Sequence, residues 1–218
     1  MAWQRRIDMD RSEKLWEFDE AGASYSTQIR PLLQEMLASE SILEVADAAD
    51  YIGAKKLLEF KILIEQGIHH RSPVVSSYSM MAMFDLVGNK VLPQILPLCN
   101  RRDLGVKLTA LAIAFIVSRQ DKYIREIRRL TIRPSADYRD QYLVIHVFDY
   151  YSLISKSPMV VKYLHELRRI VPPDSGLAID LRRMLSRSRR IRELTPRPQP
   201  RQKLGRHQQR PARMVEDE

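Results

Sequence analysis

The chain has a single cysteine, Cys99, in 218 residues, so an intramolecular disulfide and a cysteine-rich zinc site are both excluded. Glycine is scarce as well: 7 residues argue against a turn-rich β protein and against a nucleotide-binding fold built on glycine loops. Long apolar runs are missing. The most apolar stretch, Leu108 to Val117, is about half the roughly 20 residues that a bilayer-spanning helix needs. The opening MAWQRRIDMDRSEK contains no apolar segment of the secretory kind. These absences predict a soluble, cytoplasmic protein.

Catalytic constellations are missing too. There is no H-E-x-x-H, no G-x-S-x-G and no phosphate-cradling loop, so an enzyme is not expected. His69 and His70 are adjacent, diverge on a helix and have no acidic or cysteine partner at ligand spacing; they read as histidines at the end of a hairpin, and no metal or cofactor is expected. Asp47 and Asp50 read as solvated charges on a helix face. His146, with Asp149 three residues on, reads as a buried or half-buried packing residue, since no nucleophile accompanies the pair. Cys99 reads as a small core residue.

What the chain does have is unevenly placed. Its net charge is +9, yet residues 1–181 are almost balanced and the excess sits near the end. From Arg182 to Arg213 the only acidic residue is Glu193, against the cations Arg182, Arg183, Arg187, Arg189, Arg190, Arg192, Arg197, Arg201, Lys203, Arg206, Arg210 and Arg213. Pro196, Pro198, Pro200 and Pro211 make residues 195–218 too proline-rich for packed structure, so a disordered basic tail is expected there. Cations without interleaved aromatics suit attraction to phosphate rather than base stacking. The tail is therefore a candidate site for nucleic acid, anionic lipid or an acidic protein.

Upstream, the pattern is helical. A short helix is predicted near Arg11 to Glu20, inside a charged segment 1–25 whose Trp3, Ile7, Leu15, Trp16 and Phe18 could dock on a core. Ile29, Leu32, Leu33, Met36 and Leu37 then fall at i, i+3, i+4, i+7 and i+8, an amphipathic stripe. Narrow amphipathic helices are predicted over Lys55–Gln66, Lys90–Leu98, Asp121–Thr131 and Pro158–Ile170, alternating with broadly apolar ones. Met80, Met81, Met83 and Phe84 read as the apolar face of one of the latter. An internal repeat joins them: Asp50-Tyr51-Ile52-Gly53-Ala54-Lys55-Lys56-Leu57 matches Asp85-Leu86-Val87-Gly88-Asn89-Lys90-Val91-Leu92. Each glycine is expected to end one helix at positive φ and begin the turn of an αα-hairpin. Ser72, Asp103, Asp137 and Asp174 are expected to cap the helices that follow them.

The stretch Pro97-Leu98-Cys99-Asn100-Arg101-Arg102-Asp103-Leu104-Gly105-Val106-Lys107-Leu108-Thr109-Ala110 resembles a HEAT repeat, as does Ser72 to Leu96 with Val74, Ala82 and Gly88. The copy after Asp137 departs from the pattern, with bulky Tyr142 and Phe148 where small residues are usual. The resemblance spans about residues 42–185 and implies an all-α solenoid of about four HEAT-like helical hairpins over residues 26–194. It implies a protein-binding or scaffold role through an extended concave face, to which Lys107, Arg139 and Asp140 are candidate contributors. Two alternatives accompany it. One is a DNA-binding or DNA-repair protein similar to the HEAT-like alkylpurine glycosylases, which use aromatics and a carboxylate; against it, both tryptophans, Trp3 and Trp16, lie outside the repeats. The other is a subunit of a larger assembly.

Overall fold

The computed structural model describes residues 11–133, 137–151 and 157–194, and among these there are helices and turns but no strand. In chain order the α-helices are α1 (Arg11–Glu20), α2 (Arg30–Leu37), α3 (Ile42–Lys55), α4 (Lys61–Gly67), α5 (Pro73–Val87), α6 (Leu92–Ile95), α7 (Leu104–Ser118), α8 (Asp121–Thr131), α9 (Tyr138–Tyr150), α10 (Pro158–Ile170) and α11 (Gly176–Leu194). The fold is all-α, as the periodicity predicts. No helix among the described residues is long and apolar enough to cross a membrane.

The starts of the broad helices obey capping chemistry. Asp103 accepts from the Val106 N–H at 3.0 Å and Asp137 from the Arg139 N–H at 2.8 Å, each satisfying a first-turn donor that has no partner within the helix. Ser72 stands before α5 in extended conformation but, against expectation, its side chain makes no cap bond; Pro73, the first helical residue, has no N–H to satisfy. At α11 the cap is Ser175, whose hydroxyl accepts from the Ala178 N–H at 3.2 Å, and not Asp174. The cap slips by one residue because Ser175 directly precedes the first helical residue, Gly176.

The two copies of the repeat differ physically. Gly88 ends α5 at φ +60°, as expected. Gly53 lies inside α3, where a Cβ would meet the Ala82 Cα at 2.8 Å; its role is close approach of α3 to α5. α3 runs on to Lys55 and ends at Lys56, which takes the left-handed conformation at φ 56°. The next helix is therefore shorter than predicted, a 3-10 turn at Leu58–Phe60 followed by α4. Likewise Lys90–Leu98 is not one α-helix. Pro93 and Pro97 remove N–H donors there, and the segment becomes 3-10 over Gly88–Val91, α over Leu92–Ile95 and 3-10 over Leu96–Asn100.

Packing follows a regular order. α3 lies on α5, α5 on α7, and α7 on α9, while α2, α4 and α6 pack on α3, α5 and α7 respectively and α8 packs on both α7 and α10. α7 is the most enclosed: Leu108 through Ile116 are all buried, the signature of a helix apolar on every side. The Met stripe is core, with Met80, Met81 and Met83 all buried. Cys99 is buried too, and burial pushes its thiol up to about 11.

Polar bonds fix the buried layers at a few points, because a buried donor left alone would destabilise the fold. The Thr109 hydroxyl donates to Ser77 at 3.0 Å between α7 and α5. Thr131 and Tyr163 share a 3.0 Å hydroxyl bond, and the Gln141 amide donates to the Thr131 carbonyl at 2.9 Å, which ties α8, α9 and α10 together. Arg128 grips Glu166 with two 2.7 Å bonds. At the chain's start Leu15 is fully buried, Trp16 stacks edge-on against Tyr51 at 5.6 Å, and Asp19 accepts from Tyr51 and Lys55 at 2.8 and 2.7 Å, so α1 docks on α3. Trp3, Ile7 and residues 195–218 lie outside the described residues.

Candidate functional site

Three helices build one face. On α9, Tyr142, His146 and Tyr150 recur every fourth residue and share a side of the helix. On α5, Tyr78 and Asp85 are two turns apart, and on α3 Asp47 and Asp50 are one turn apart. α9 leans across α7 far enough to meet α5. The Tyr78 and His146 rings lie 6.4 Å apart, and the Tyr150 hydroxyl donates to the Asp85 carboxylate at 3.1 Å.

The result is a groove of about 560 Å³ lined by Tyr78, Arg139, Tyr142, Leu143 and His146. Towards the end of α9, aromatic rings meet edge to face: Tyr150 on Tyr151 at 4.8 Å and Tyr151 on Phe84 at 4.9 Å, while the Tyr151 hydroxyl donates to the Met81 carbonyl at 3.1 Å. Carboxylates stand beside it. Burial lifts the Asp50 carboxyl above its ordinary range; the charge of His146 pulls it back, and Asp47 pushes it up again. Burial also lifts Asp85, against the hydroxyl bond from Tyr150, with the negative charge of Asp50 adding to the rise. Tyr78 is raised by burial and by the charges of Asp50 and Asp47. Charges on α3 thus act on Tyr78 and Asp85 of α5, and His146 of α9 acts on Asp50 of α3.

Chemically, the groove offers tyrosine faces and the cation Arg139, with Asp47, Asp50 and Asp85 on the helices beside it; aromatic faces next to carboxylates can take a cation and its apolar stem. Among the described residues no group of three His, Cys, Asp or Glu side chains could hold a metal ion.

The residues singled out from sequence fall in different places. Arg139 lines the groove. Lys107 points instead to α8, where its ammonium meets Glu126 at 3.1 Å. Asp140 is half-buried, and burial together with Asp137 and Asp103 raises its carboxyl, which places it toward the start of α7. His69 and His70 are exposed in the turn between α4 and α5, at a hairpin end. Arg182 and Arg183 are exposed on α11, the first donating to the Pro173 carbonyl at 3.2 Å and the second 4.0 Å from Asp180. Arg187, Arg189, Arg190 and Arg192 continue that helix, whereas Arg197, Arg201, Lys203, Arg206, Arg210 and Arg213 lie outside the described residues.

Sequence reasoning missed Tyr78, Tyr142, Tyr150 and Asp85. The available signal was the Tyr142–His146–Tyr150 stripe, large aromatics on the wetter side of an otherwise apolar helix, and Tyr142 had already stood out as bulky where the repeat pattern is small. Compared with known proteins, the chain matches no family model, no curated protein and no solved structure.

Proposed function

We propose that the chain is a non-enzymatic binding protein made of stacked, HEAT-like helical hairpins, and that it holds a cationic segment of a protein partner in the groove between α5 and α9. The stacking reading is supported by the packing order, in which alternate helices α3, α5, α7 and α9 lie side by side while the helices between them pack against this row. The binding reading rests on one observation: Tyr78, Tyr142 and His146 surround an open groove next to carboxylates that burial has made less comfortable as anions. A lysine or arginine laid there would give Asp50 and Asp85 a partner and stack its stem on the tyrosines. The basic tail from Arg182 to Arg213 adds affinity for polyanions.

The test is selection of short peptides from a random displayed library on the full-length protein, followed by affinity measurement with Tyr142→Ala and Asp50→Asn variants. Selected sequences should carry Lys or Arg beside an apolar residue, and each variant should weaken them about tenfold. Acidic selected sequences, or binding indifferent to both changes, would sink the reading.

A second reading has its own observation. Aromatics and a carboxylate on one face also suit a HEAT-like enzyme acting on alkylated DNA. Asp47, Asp50 and Asp85, however, place negative charge where a DNA backbone would have to lie. Release of free base from alkylated DNA would favour it over the binding role.

A further inference from the structure

A second cleft lies outside the groove, where the turn between α4 and α5 meets the turn that leads from Leu96–Asn100 into α7. It measures about 550 Å³, and its polar rim is His69, His70, Arg71, Asn100, Arg101 and Arg102. All six side chains are exposed. Among the described residues, none of the three arginines forms an ion pair. Some cations elsewhere are held: Arg128 by Glu166, and both Arg129 and Lys107 by Glu126. Here three guanidinium groups without a carboxylate partner share one cleft.

The surroundings add to the positive potential. α5 and α7 pack on each other, each runs for 15 residues, and both begin at this cleft, so the positive ends of two helix dipoles lie there. Asp103 is the one carboxylate in the lining, and it is engaged as the cap of α7 through the Val106 N–H. Ser76 lines the cleft but donates to the Ile68 carbonyl at 2.6 Å, so it is not a free donor. His70 accepts from the Ser72 N–H on Nδ1 at 3.0 Å, which puts its own proton on Nε2 as a donor. Planar guanidinium forks with an imidazole and an amide beside them match the oxygens of a phosphate better than a single carboxylate.

We infer that this cleft, built on the turns of successive hairpins, binds backbone phosphates of a nucleic acid. A polymer fits better than a lone anion, because Arg133 continues the cations at the next such turn, between α8 and α9, and because the chain carries its large basic excess after residue 181. The site does not depend on the groove and stands or falls separately from it.

The experiment is fluorescence anisotropy with a labelled 20-nucleotide single-stranded RNA and a DNA duplex of equal length, titrated with full-length protein over a range of salt. Against the parent, R71Q/R101Q/R102Q should lose about 100-fold in affinity for the single strand at about 0.1 M salt, with a slope of log K on log salt shallower by about 2, which is the share of three phosphate contacts. The R71K/R101K/R102K variant should retain most of the binding. On the unaltered chain, pyrophosphate at constant ionic strength should displace the oligonucleotide, a readout that does not depend on a variant folding. Binding and slope unchanged in the glutamine variant would assign all affinity to the tail and overturn the inference. So would a parent that binds neither oligonucleotide, or one that binds a phosphoserine peptide in their place.

Discussion

The hydroxyl of Tyr150 reaches the carboxylate of Asp85 at 3.1 Å, and this bond joins α9 to α5 over the top of α7. It spans 65 positions of sequence and bypasses the helix that lies between the two in packing order. Tyr150→Phe keeps the ring and removes the bond. The expected loss is about 1 kcal/mol, since the pair is partly open to water, equivalent to a melting temperature lower by roughly 2–4 °C. Calorimetry of Tyr150→Phe, Asp85→Asn and the double variant should give non-additive losses; additive ones would mean that the two side chains do not cooperate.

Asp50 gives a pH-dependent prediction. Burial raises its carboxyl above the ordinary 3.8, with Asp47 acting in the same direction and His146 against it. The native state therefore holds this proton more tightly than the unfolded chain does, and ionisation works against the fold. The penalty is complete above the raised value and absent below 3.8. Asp50→Asn should melt higher than the parent at neutral pH, and the gap should close as the pH falls toward that lower limit. A gap of the opposite sign, or one insensitive to pH, contradicts the assignment.

Glu126 titrates in the other sense. Bonds from Arg129 and Lys107 hold its carboxyl down at about 2, against an ordinary 4.5. Its stabilising contribution is present above 4.5 and is lost as the pH falls toward about 2. Because water reaches the cluster, the contribution is no more than about 1 kcal/mol. Glu126→Gln should lower the melting temperature at pH 7 by a few degrees and converge on the parent in acid.

Gly53 yields a prediction whose sign is diagnostic. Helix propensity alone says that alanine inside α3 should stabilise by about 1 kcal/mol. The Ala82 backbone 2.8 Å from the new Cβ says the reverse, an overpacking penalty of about 1–3 kcal/mol. Urea unfolding of Gly53→Ala decides between them; a stabilised variant would remove the close contact from the account.

The helices were legible because their apolar spacing is set locally. Leu32, Leu33 and Met36 are buried where the stripe over residues 29–37 put them, and Asp103 and Asp137 cap as their positions imply. Where the reading failed, a neighbour decided. Asp50–Leu57 and Asp85–Leu92 look alike, yet Gly88 turns the chain while Gly53 accommodates Ala82, a distinction that only the packed pair can make. Pro93 and Pro97 were visible, but their breaking of one helix into three short pieces depends on how each turn finds its partners. The groove was hidden for a simpler reason: Asp50, Tyr78 and His146 stand on three helices and meet only after α9 has crossed α7.

The seat of Gly53 on Ala82 also bears on how the groove can adjust. With the main chain of Gly53 set close against Ala82, α3 and α5 meet without an intervening side chain at that point, a contact that resists their sliding past one another. By contrast, α9 is fastened at that side by single hydroxyl bonds to Asp85 and to the Met81 carbonyl. On the proposed reading, the groove would adapt to segments of different thickness through α9 rather than by sliding α3 against α5.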